Sequence, residues 1–195
     1  MSIQPKTVFI VHGENSSPED HWFSWLAQQV KAMHGIAKLV FLPDADVPEF
    51  DLWQQALDMQ MSNLNEHSIV IAHSLGCLAV AHYLSQHLNH QKMEALICVA
   101  GFKSVPPQKP ELNSFIQQAT LQSRVLHRQI AHRIVLFSNN DPVVPPPLAL
   151  QFGHFMNAQL LEVKQAGHFT QQDGFSEFLL LQQILQPYLL CVSDA

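Results

Sequence analysis

The 195-residue sequence is short of charge, of glycine and of cysteine, and each shortage removes a class of function. Only 13% of its residues are Asp, Glu, Lys or Arg while 47% are apolar, a composition far from that of chains that stay disordered. Basic residues number ten against sixteen acidic ones, and a formal charge of -6 repels phosphate backbones, so nucleic acid is not an expected partner. The glycines are scattered and form no Gly-x-Gly or P-loop, which removes the usual cradles for dinucleotides and nucleotides. Cys77, Cys98 and Cys191 are widely spaced, lack a Cys-x-x-Cys pair, and read as reduced core thiols. The many histidines include no His-Glu-x-x-His, and no metal is expected. No apolar run approaches the roughly 18 residues that cross a bilayer. The stretch Met1 to Phe9 is too short for a signal-peptide core, so the expectation is a cytoplasmic protein without a membrane partner. The length suits a single domain over residues 1–195.

What the chain does have is a regular alternation of short apolar runs with longer amphipathic segments. That is the pattern of an α/β fold with a mostly parallel sheet of about six strands between helical layers. Thr7–Val11, Lys38–Leu42, Ser68–Ala72, Ala95–Ala100, Ile134–Phe137 and Ala158–Val163 read as the strands. A first helix is expected from Ser17-Pro18-Glu19-Asp20 through Trp22, Trp25, Leu26, Val30 and Met33, with Gly35 ending it. Others start near Glu49, directly after His73, and around Leu112 to Ala119, and Phe175 to Ile184 closes the chain. Lys103 to Pro110, with three prolines, is expected to be irregular. Arg124, Arg128 and Arg133 read as one solvated helix face within Ser123 to Arg133.

The third strand runs almost without a loop into Ala72-His73-Ser74-Leu75-Gly76, which matches the strand-turn-helix pattern G-x-S-x-G except for Ala at its first position. Small residues are needed there because the turn exposes the serine by straining its backbone and bringing strand and helix close together. A serine hydroxyl also caps helices, so this motif alone decides little. A nucleophile needs a base, and the base needs an acid to hold its tautomer. Asp141 follows the fifth strand and His168 follows the sixth, in the chain order serine, acid, histidine. Backbone N–H groups for a developing oxyanion are expected from Leu75 and from the loop after the first strand, at Glu14, with Asn15 in reserve. Asn15, Phe102 and Phe115 are the candidate substrate contacts, and Trp22 and Trp25 read as core. His73 is expected to point away from the cleft. His82, His87, His90, His127, His132 and His154 read as surface residues on helices or loops.

Taken together, Val11-His12-Gly13, His21-Trp22, Trp25-Leu26, the block from Ala72 to Cys77, Asp141-Pro142-Val143-Val144-Pro145 and Gly167-His168-Phe169 resemble a family of small serine hydrolases. That family includes the retinoblastoma-binding serine hydrolase and its bacterial relatives. The resemblance implies an α/β-hydrolase three-layer sandwich without a large lid domain and a triad of Ser74, Asp141 and His168. It further implies hydrolysis of small-molecule esters or amides with no cofactor. The competing expectation is a catalytically silent protein of the same fold that works as a binding module.

Overall fold

The computed structural model describes residues 4–88 and 90–190. Six parallel strands form one sheet: β1 (Thr7–Val11), β2 (Ile36–Val40), β3 (Ser68–His73), β4 (Met93–Val99), β5 (Ile130–Ser138) and β6 (Gln159–Val163). Their order across the sheet is β2-β1-β3-β4-β5-β6. The central strands are apolar along their whole length because both faces are covered. Val8 and Ile10 of β1, Ile69 and Ile71 of β3, and Ile134 and Leu136 of β5 face one cluster. The alternate residues Phe9, Val11, Val70, Ala72 and Val135 face the other. Helices α1 (Phe23–Ala32) and α7 (Leu179–Leu189) pack together over the first face. The second face carries α2 (Phe50–Met61), α3 (Leu75–His87), α4 (Asn113–Gln118), α5 (Ser123–Gln129) and α6 (Pro146–Met156).

The first strand has the expected bounds, and several others shift for identifiable reasons. Strand β2 lies two residues earlier than expected, since Val40 pairs with Val11 at the end of β1 and the Leu42 N–H donates to the His12 ring instead. Helix α1 begins at Phe23 and not at Ser17-Pro18. Asp20 accepts from the Ser17 N–H at 2.7 Å to close a turn, and His21 (φ 53°) breaks the chain direction. The left-handed residue after α1 is His34 (φ 63°), not Gly35. Arg133 leaves the expected helix face, because β5 already starts at Ile130 to pair with Met93. Its guanidinium donates to the carbonyls of Ile130 and Met156. His132 likewise sits on β5 and not on a helix or loop. Helix α6 was not legible as a helix: its prolines 146 and 147 occupy the first turn, where a missing N–H costs nothing. Cys77 and Cys98 are buried free thiols, while Cys191 lies outside the described residues. Among the described residues no helix is long and apolar enough to cross a membrane.

Because every strand runs the same way, the loops after β1, β3, β4, β5 and β6 gather at one end of the sheet. Crevices outside the carboxyl ends of the strands are where such sheets hold ligands.

Candidate active site

At that end Ser74 sits between β3 and α3 with φ 52° and ψ -127°, a conformation that side chains other than glycine rarely adopt. Two close approaches hold it there. A Cβ on Gly76 would lie 2.1 Å from the carbonyl oxygen of His12, so only glycine lets α3 start this near β1. A Cβ on Gly13 would lie 2.9 Å from Ser74 Cβ, which sets the loop after β1 directly against the serine. Ala72 is tolerated at the motif's first position because its small side chain faces the core beside Cys77, whose Sγ donates to the Ala72 carbonyl at 3.2 Å.

Three side chains from three loops form a chain of hydrogen bonds. Ser74 Oγ lies 2.9 Å from His168 Nε2. His168 Nδ1 lies 3.0 and 2.9 Å from the two carboxylate oxygens of Asp141. A carboxylate only accepts, so Nδ1 carries the proton and Nε2 presents a lone pair to the serine hydroxyl. Asp141 Oδ1 is oriented by the N–H groups of Val143 (2.8 Å) and Val144 (2.9 Å), and the side chain is only 1% exposed. A hydroxyl, a base and a buried acid in this sequence of contacts can activate an oxygen nucleophile. The cavity over them has a volume of 290 Å³.

A family model for serine hydrolases matches residues 8–187. The chain belongs to the serine hydrolase family. It is 29% identical to YdeN of Bacillus subtilis (strain 168) over 183 residues, 94% of this chain and 96% of that protein. It is 22% identical to the serine hydrolase RBBP9 of Rattus norvegicus over 169 residues, 86% and 88% of the two chains. The crystal structure of the B. subtilis ydeN gene product superposes with a TM-score of 0.86 at 29% identity, covering 94% of this chain and 98% of that one. Est1E of Butyrivibrio proteoclasticus, solved with ferulic acid bound, is only 13% identical and shares the fold, with a TM-score of 0.70 over 96% and 89% of the chains. The fold is that of the α/β-hydrolases.

The serine hydrolase holds its site with residues that no local motif announces. Ser138, at the end of β5, accepts from the Ala166 N–H (3.0 Å) and donates to Asn140, whose Oδ1 accepts from the Gly167 N–H (3.0 Å). These bonds tie the loop that carries Asp141 to the loop that carries His168. Asp173 Oδ2 accepts from the His168 N–H at 3.0 Å and also from Thr170. Burial pushes its carboxyl up, but the bonds from Thr170 and His168 outweigh this and hold it below the usual range.

His73 corrects the reading that it points away: it lines the cleft, and its Nε2–H donates to the His168 carbonyl at 2.8 Å. Complete burial keeps its ring well below the ordinary histidine value, hence neutral. His12 is buried too, with its pKa lowered by desolvation. Its Nε2 accepts the Leu42 N–H at 2.9 Å, so its Nδ1 carries the proton and donates to the Gly13 carbonyl at 2.9 Å. Burial likewise raises the Cys77 thiol well above its ordinary value, with Cys98 adding to the effect, so no thiolate competes near Ser74.

His12 and His73, the most deeply buried of the histidines whose pKa is lowered, make folding sensitive to acid. Unfolded histidines take protons below about 6.5, whereas His12 and His73 refuse them until their depressed native values are reached. The unfolded state therefore binds more protons in that window, and stability, full above pH 6.5, falls as the pH drops. The slope can reach at most about 1.4 kcal/mol per pH unit for each histidine. Urea midpoints measured from pH 7.5 to 5.5 test this, and a flat profile would contradict it.

The remaining candidates separate. Leu75 opens α3, and Glu14 and Asn15 line the cleft. The Asn15 N–H is already given to the Ala45 carbonyl at 2.7 Å. Phe102 is a correction: it is 1% exposed, packed in the core, and not part of the lining at Ser74. Phe115 lines a neighbouring cavity instead, edge-on to Phe50 at 5.2 Å. Trp22 is core, bonded through its indole N–H to the Phe169 carbonyl at 3.1 Å.

Proposed function

We propose that the protein hydrolyses carboxylic esters or small amides through an acyl-enzyme on Ser74. The observation that carries this reading is the unbroken hydrogen-bond chain from Ser74 through His168 to buried Asp141, with the serine held at positive φ. Ser74 Oγ attacks the carbonyl carbon while His168 Nε2 takes the hydroxyl proton, and Asp141 stabilises the imidazolium and keeps its orientation. As the tetrahedral intermediate collapses, His168 returns that proton to the leaving alcohol or amine. Water then attacks the acyl carbon as His168 takes its proton, and collapse of this second intermediate breaks the bond to Ser74 Oγ, releases the carboxylic acid and returns the proton from His168 to the serine.

The oxyanion is assigned to the N–H groups of Leu75 and Glu14. Leu75 is the first residue of α3, where N–H groups lack intrahelical acceptors and the helix dipole is positive. The Gly13 carbonyl is held by His12 Nδ1–H at 2.9 Å and by the Ser16 hydroxyl at 3.0 Å. A planar trans peptide points its N–H opposite its carbonyl, so these two bonds fix the direction of the Glu14 N–H. Asn15, whose N–H is spent on Ala45, is left to contact substrate with its side chain.

The test is labelling of the folded protein with a fluorophosphonate, followed by mass spectrometry of its peptides. One adduct, on Ser74 and missing from Ser74→Ala, is expected. A folded wild type that takes no adduct would overturn the reading and favour a binding role for the same fold.

A further inference from the structure

Two cavities meet at the ion pair between Glu14 and Lys109. The 290 Å³ cleft at Ser74 has Asn15, His21 and Gln172 among its lining residues, with Val143 as its aliphatic wall. The second cavity, of 370 Å³, has buried Phe50, Leu112 and Phe115 beneath it and exposed Asp46, Glu49 and Glu111 around it. Glu14 lines both. Lys109 Nζ lies 3.1 Å from the Glu14 carboxylate and 3.5 Å from Glu111, so it bridges the loop after β1 to the proline-rich segment after β4. The side chains of Glu14 and Lys109 are 10% and 25% exposed, so the pair is largely shielded from solvent where the two cavities share Glu14.

We propose that the second cavity is an acyl-chain subsite and that Lys109 is the specificity-determining residue that shuts it off from Ser74. The inference rests on Ser74 being the nucleophile. With the ion pair in place, the room beside the serine suits a short acyl group. Without it, a longer chain passes Glu14 and lies on the rings of Phe50 and Phe115, whose planes meet edge-on at 5.2 Å. The sign of the charge around the opening adds a second criterion. Asp46, Glu49 and Glu111 repel a chain that ends in a carboxylate, while an uncharged chain is not opposed.

The experiment compares kcat/KM for the p-nitrophenyl esters of acetate, hexanoate and adipate. The proteins are wild type, Lys109→Ala, Lys109→Met, and Lys109→Ala combined with Ser114→Trp, each checked for fold by circular dichroism. Ser114 is an exposed residue lining the second cavity, so tryptophan there fills the space without touching the core. The hexanoate to acetate ratio should rise about tenfold or more in both single variants, the scale of a few added methylene contacts. Adding Ser114→Trp should return it to the wild-type value, and adipate should stay poor throughout. A ratio unchanged in the folded single variants overturns the proposal, as does a gain that Ser114→Trp leaves intact. Equal gains for adipate and hexanoate would overturn the charge criterion. A wild type that neither turns over acetate nor takes an adduct on Ser74 would instead overturn the nucleophile, and the subsite would fall with it.

Discussion

Ser74→Ala is expected to lower the turnover of an activated ester by about a millionfold, with the protein still folded. Alanine keeps the Cβ and removes only the hydroxyl that lies 2.9 Å from His168 Nε2. What remains is the background supplied by the oxyanion donors and by binding. Asp141→Asn should cost about ten-thousandfold for a different reason. The asparagine amide can donate to His168 Nδ1, which moves the ring proton to Nε2 and turns the base into a donor facing the serine. The two losses should not add, because either change already disables the same relay. Single-turnover release from p-nitrophenyl acetate measures both variants and their combination. Activity within tenfold of wild type in Ser74→Ala would remove Ser74 from the mechanism. Independent, multiplying losses would mean that Asp141 acts elsewhere.

Gly76→Ala is expected to cost about 3 kcal/mol of stability, the upper part of the range for overpacking a close contact. The new methyl would lie 2.1 Å from the His12 carbonyl oxygen, and that backbone cannot yield cheaply. The His12 ring is 1% exposed and held at both nitrogens, by the Leu42 N–H and the Gly13 carbonyl. Relief has to come from moving α3 or from moving the segment that leads to Gly13 and Glu14, so ester turnover should fall along with the urea midpoint. A variant as stable and active as wild type would show that the approach of α3 to β1 relaxes freely.

The contrast between Gly76 and Ala72 shows how far a motif can be read from residues alone. Both positions look like small-residue requirements in the pattern. Only at Gly76 does a neighbouring backbone atom occupy the place of a side chain, whereas Ala72 has room in the core beside Cys77. The same division runs through the rest of the site. Ser74, Asp141 and His168 were legible because each stands just past a strand, and apolar strands in a parallel sheet are visible as short runs bounded by turn residues. Their mutual contacts follow from the shared direction of those strands. Phe102 was misjudged because an aromatic residue just past a strand end reads the same whether it turns into the cleft or back into the core. The pairing of Lys109 with Glu14 was not legible, since the two lie 95 residues apart and meet only through the folding of a proline-rich segment with no periodicity.

The sequence by itself determined the layered α/β architecture, the order of serine, acid and histidine, and the need for small residues around the turn. Those are consequences of local pattern: period, strand ends and chain order. Only the tertiary structure decided which nitrogens of His12, His73 and His168 carry protons, that the Asn15 N–H is given to Ala45, and that Lys109 pairs with Glu14 where two cavities share a wall. Each of these depends on a hydrogen bond or an ion pair between residues far apart in the chain, and no run of neighbouring residues encodes that geometry.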